Sequence, residues 1–114
     1  MRCIELVFVL YYKWNYIYLQ AEAKGTSKLT EFIHYFTQIT GLSGKVLMEH
    51  SFFGKRVYRC ERFDVINDDE KVGLHLMGQD VYIFKKDVKL HKAYDKMYIL
   101  ADSFLQLTII VNEV

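Results

Sequence analysis

The sequence predicts an α+β fold: one amphipathic helix packed on a small, strongly bent antiparallel β-sheet or barrel. Three observations carry this. Apolar residues recur at spacings of three and four only between residues 27 and 40. From Lys45 onward the apolar period drops to two, the period of a strand. The polar breaks between the later runs are too short for the crossovers that parallel strands require, so the sheet is antiparallel and largely a meander. At 114 residues the chain fits a single domain, 1–114. Its parts are an accessory N-terminal strand region (1–24), a helical segment (25–41) and a meander (44–112).

The first twenty residues are dense in Val, Ile, Tyr, Phe and Trp, which favours strand. Glu5 inside the apolar run and the aromatics before Ala21-Glu22-Ala23 argue against a signal peptide, and Glu5, Lys13 and Asn15 interrupt any membrane-spanning run. No membrane association is expected, and a cytoplasmic location is.

In the helix, Ser27 suits the N-cap and Glu31 places negative charge near the positive end of the dipole. Leu29, Phe32, Ile33, Phe36 and Ile39 form one apolar stripe. Gly41 supplies the left-handed C-terminal position, and Leu42 is placed to fold back on the last turn.

After the helix, Val46 to Glu49 alternate, Ser51-Phe52-Phe53-Gly54 interrupts, and alternation resumes from Val57 to Val65. Ile66 to Lys71 is a polar turn, residues 72–76 and 81–84 pair across a hairpin at Gly78-Gln79, and Val88 with Leu90 makes a short segment before the chain turns at 92–96. The last two strands meet at Asp102-Ser103. "FLQLTIIV" and "LVFVLYY" are apolar on both faces, so each is a central buried strand or a surface covered by another subunit. A homo-oligomer is expected.

Composition and motif searches narrow the chemistry. The formal net charge of +1 provides no global field, so any electrostatic recognition comes from local clusters. Proline is absent while Lys, Tyr, Phe and Ile are abundant, a bias that suggests AT-rich coding sequence. Cys3 and Cys60 lack Cys-x-x-Cys spacing and a nearby His, so neither a disulfide framework nor a zinc site is indicated. No nucleophile elbow, phosphate loop, dinucleotide fingerprint or His-Glu-x-x-His is present, which points away from an enzyme. No cofactor and no metal is predicted. Glu31 and His34 read as a helix-surface pair, residues 68–70 as a solvated acidic turn, and His50, His75 and His91 as isolated strand residues.

Two basic clusters are the strongest signal. Lys55, Arg56, Arg59 and Arg62 crowd one strand region, and Lys85, Lys86, Lys89, Lys92 and Lys96 another. With Tyr58, Tyr82 and Tyr94 on a shared surface, such cations would neutralise phosphates beside rings on which bases stack, as binding of RNA or single-stranded nucleic acid requires. The candidate nucleic-acid-binding residues are Lys86, Lys89, His91, Lys92 and Tyr94. The rival expectation is a protein-interaction or assembly module, of bacterial, phage or plasmid origin, that oligomerises through its apolar strands.

Phe63-Asp64, the run "VGLHLMGQDVYIFKKDVKLHK" and Lys89-Leu90-His91-Lys92 follow the helix in an order that resembles the Sm-like family of RNA-binding proteins. In that family an N-terminal helix caps a five-stranded barrel. The resemblance covers residues 27–100. It implies an oligomeric ring with Lys89, His91 and Lys92 among the RNA contacts. The family's Tyr-Lys-His run is not present as such, residues 97–110 add strand, and the first 24 residues have no counterpart.

Overall fold

The computed structural model describes residues 3–6, by their backbone, and 28–112. Its elements are β1 (Cys3–Leu6), α1 (Leu29–Thr37), β2 (Gly44–His50), β3 (Gly54–Cys60), β4 (Val65–Asn67), β5 (Lys71–Leu76), β6 (Gln79–Phe84), a 3-10 turn (Lys85–Asp87), β7 (Leu90–Ala93), β8 (Met97–Ala101) and β9 (Leu105–Val111). The fold is α+β, with one described helix packed on two antiparallel sheets. These are open sheets and not a closed barrel, ordered β1-β3-β2-β9-β8-β7 and β4-β5-β6.

The path is less of a meander than the short connections suggest. After the β2–β3 hairpin the chain leaves the first sheet, builds all of the second, and returns through β7 and β8 so that β9 pairs with β2 along its whole length. "FLQLTIIV" is therefore a central strand from Leu105 onward, and Leu107 and Ile109 on one face and Ile110 on the other are buried within a single chain. Most of "LVFVLYY" lies outside the described residues.

Strand parity explains how one sheet serves two apolar layers. On one face, Val46, Tyr58, Leu100, Leu107 and Ile109 pack with Phe32, Phe36 and Ile39 from the helix region and with Val72, Leu74, Leu76 and Ile83 of the small sheet. On the other face, Leu47, Val57, Met97, Ile99 and Ile110 form a second cluster with Tyr94. Phe32 and Phe36 stack at 5.5 Å, and the Tyr98 ring meets both edge-on at 6.3 and 6.2 Å. Burial pushes the Tyr98 phenol above its ordinary range, with the Asp95 charge adding to the effect.

The helix is shorter than its apolar stripe. Ser27, the expected N-cap, is outside the described residues, and Lys28 enters extended, with its carbonyl accepting the first helical bond from Phe32 at 3.1 Å. After Thr37 the amides of Gln38, Ile39 and Thr40 donate three residues back, tightening the last turn. Gly41 takes the left-handed conformation at φ +88°. Leu42 does not fold back: its side chain is exposed, while its backbone bonds both Ile39 and Phe63.

Two other boundaries shift. The run from Val57 to Val65 is not one strand, because β3 stops at Cys60 and the chain bends through Phe63 to enter the second sheet. The β5–β6 hairpin turns at Met77 and Gly78, one residue earlier than expected, with both at positive φ (49° and 82°). Paired positive φ values match the twist of a two-residue hairpin.

Phe36 is wholly buried against Phe32 and Tyr98. Phe36→Ala is expected to cost about 3 to 5 kcal/mol in urea unfolding. A loss below about 1 kcal/mol would show that the helix face contributes little to the core.

Candidate functional site

The five residues singled out in the sequence do not converge on one surface. Lys86 and Lys89 are exposed in the connection between the sheets. His91 and Lys92 are neighbours on β7, so alternation sends them to opposite faces. His91 lies 5.8 Å from the Phe32 ring, with a buried Nδ1 that has no hydrogen-bond partner among the described residues, while Lys92 is opposite Ile99 on the other face. Tyr94 is buried in the second cluster, and its amide closes the β7–β8 turn onto the Met97 carbonyl at 2.7 Å. Tyr58 is also core. Of the three tyrosines expected beside the cations, only Tyr82 reaches an outer surface.

That surface is the outer face of the small sheet. Val72, Leu74 and Ile83 point to the core, so the register partners Lys71 and Phe84, Gly73 and Tyr82, and His75 and Asp80 lie on the face away from it. The rings of Tyr82 and Phe84 meet edge to face at 5.3 Å, and the Lys71 ammonium stands 4.6 Å from the Tyr82 centroid. Such a contact is a cation–π interaction. Gly73 has to be glycine: a Cβ there would come within 2.0 Å of the Val81 carbonyl and 2.5 Å of the Tyr82 Cα. His75 Nδ1 and Asp80 Oδ1 are 2.7 Å apart at the other end of the face.

Phe84 continues into Lys85 and Lys86, and these three residues with Asp69 and Glu70 line a depression of about 350 Å³. The acidic turn is built locally. Asp68 Oδ1 accepts hydrogen bonds from the amides of Glu70 and Lys71 at 2.8 and 2.9 Å, which hold its carboxyl below the usual range. The Lys85 amide donates to the Glu70 carbonyl at 2.8 Å and ties the cationic end to this turn. Among the described residues no group of three or more His, Cys, Asp or Glu is placed to hold a metal ion. Nor is any described helix long and apolar enough to cross a membrane.

A second surface is one that the sequence reading missed. The β2–β3 turn and the β8–β9 turn lie side by side, joined by the Ser51 amide and hydroxyl donating to the Phe104 carbonyl at 2.9 and 3.3 Å. Asp102 Oδ1 accepts from the amides of Phe104 and Leu105, both at 2.7 Å. The result is an aromatic tip. Phe52, Phe53 and Phe104 are 76%, 77% and 55% exposed, Phe52 stacks on Phe104 at 5.9 Å, and His50 sits 4.7 Å from Phe53. The available signal was chemical: phenylalanines occupied turn positions, where polar residues are the rule.

Comparison with family models, curated proteins and solved structures finds no match.

Asp68 offers a test of the turn. A carboxyl whose folded pKa is depressed stabilises the fold above its unfolded value of 3.8 and loses that contribution as pH falls through the lower folded value. Asp68→Ala should therefore lower the melting temperature near neutrality, with the gap to wild type narrowing in acid. A gap that stays constant through acid would mean that the carboxylate charge contributes nothing.

Proposed function

We propose that the protein is a non-enzymatic binding module for RNA or single-stranded DNA, and that the outer face of the β4-β5-β6 sheet is the contact surface. The observation that carries this reading is the pair Tyr82 and Phe84, set outward on a sheet face with Lys71 at one ring and Lys85 and Lys86 at the next positions of the chain. Bases stack on such rings with little regard to sequence, and the cations meet the phosphates between them. A strand on this face runs from Tyr82 past Phe84 toward Lys86 and Lys89, because Asp69 and Glu70 border the cations on one side and repel phosphate. His91 and Tyr94 contribute through the core, and Lys92 lies on the six-stranded sheet.

The exposed aromatic tip favours a second reading, assembly of two copies through Phe52, Phe53 and Phe104. An aromatic side chain buries roughly 150 to 250 Å², so three partly exposed rings supply about half of the roughly 800 Å² that each side of a standard interface needs. Nucleic acid binding needs no such area, since each stacked base adds its own contribution. It is the first reading for that reason.

The test is fluorescence anisotropy of labelled U-rich RNA and mixed single-stranded DNA across a range of salt, with native mass measured in parallel. Phe84→Ala is expected to weaken binding about tenfold, within the roughly 1 to 3 kcal/mol of one stacked base. Lys86→Glu should reduce the slope of log affinity against log salt by roughly 0.7. Lys96→Glu, in the β7–β8 turn of the other sheet, should leave both unchanged. No wild-type binding in low salt, or equal loss in all three variants, overturns the nucleic-acid reading. A dimer that Phe52→Ser with Phe53→Ser converts to monomer would then establish assembly as the better account.

A further inference from the structure

The two cysteines lie half the chain length apart in sequence and share no motif, yet the fold makes them cross-strand neighbours. β1 lies at one end of the six-stranded sheet and, among the described residues, pairs with β3 alone. Its register sets Cys3 directly opposite Cys60, the terminal pair of a ladder whose other end is Leu6 opposite Val57. Directly opposed residues of antiparallel strands have Cα atoms about 4.5 or 5.5 Å apart, depending on the type of pair. A disulfide spans Cα separations of about 4.4 to 6.8 Å, a range that includes both values. Opposed positions also share one face of the sheet, and Cys60 is buried on the face that packs against the helix.

We propose that Cys3 and Cys60 form a redox pair that closes to a cross-strand disulfide when a small-molecule disulfide such as oxidised glutathione supplies the oxidising equivalents. One cysteine thiolate attacks a glutathione sulfur, forming a mixed disulfide and releasing one glutathione thiolate. The second cysteine loses its proton and attacks the protein sulfur of that mixed disulfide, releasing the other glutathione. Two protein thiols are oxidised, one glutathione disulfide is reduced to two glutathione molecules, and the protons end on the released thiols. The bond fixes a strand that pairs with one neighbour among the described residues, and it closes a long loop of chain, the arrangement in which a cross-link removes most freedom from the unfolded state.

The experiment equilibrates the full chain in glutathione buffers from reducing to oxidising, then measures intact mass, thiol count after denaturation, and melting temperature. Wild type is expected to lose both thiols together, to fall in mass by two hydrogens with no glutathione attached, and to melt about 10 °C higher when oxidised. Cys3→Ser, which leaves the buried Cys60 in place, is expected to show no such rise and at most one bound glutathione. Wild type that keeps both thiols in the most oxidising buffer, carries glutathione on each, or cross-links between chains overturns the proposal.

Discussion

The architecture depends on how the chain passes from one sheet to the other at Phe63. The ring of Phe63 lies over Gly44, where a Cβ would come within 2.7 Å of the ring and 2.0 Å of the Ile110 carbonyl. Its backbone is held at the same point from the helix side, with the Phe63 amide donating to the Leu42 carbonyl at 2.7 Å and the Gly41 amide donating to the Phe63 carbonyl at 2.9 Å. Those bonds reach Phe63 because Gly41 takes a positive φ that ends the helix and turns the backbone back. One aromatic residue thus ties together the helix end, the first residue of β2 and the exit from β3. The small sheet and the helix are both placed over the same face of the large sheet by this junction.

Much of the local structure was legible in the sequence. The alternation from Lys45, the interruption at residues 51–54, the left-handed Gly41 and the β8–β9 turn at Asp102 and Ser103 each express a chemical preference confined to a few residues. What could not be read was pairing between distant segments. β2 and β9 have complementary apolar patterns, but nothing in either states that they are partners across the second sheet. The break after Cys60 was hidden for the same reason: Phe63 continues the alternation, and only its long-range contacts show that it leaves the strand.

The candidate site shows how strongly parity controls which side chains share a surface on a sheet. Lys89, His91, Lys92 and Tyr94 are close in sequence, yet one step along a strand reverses the side chain, so His91 meets Phe32 while Lys92 meets the opposite face. Tyr82 stays outside because Ile83 beside it is core. The exposed phenylalanines at residues 52, 53 and 104 belong to neither strand period, and turn chemistry rather than periodicity marks them.

The pairing of β9 between β2 and β8 carries a consequence for how the molecule is made. β2 is translated early and β9 after every other described element, so the middle of the large sheet stays open until the end of the described chain has left the ribosome. Local hairpins form without it, but β2 must wait with one row of backbone groups unpaired, an edge that invites pairing with another chain. Contacts so distant in sequence also slow closure, because the entropy of the intervening loop is lost before the pairing compensates for it. The strand that completes the core is thus also the strand whose late arrival sets how long the nascent chain is exposed to aggregation.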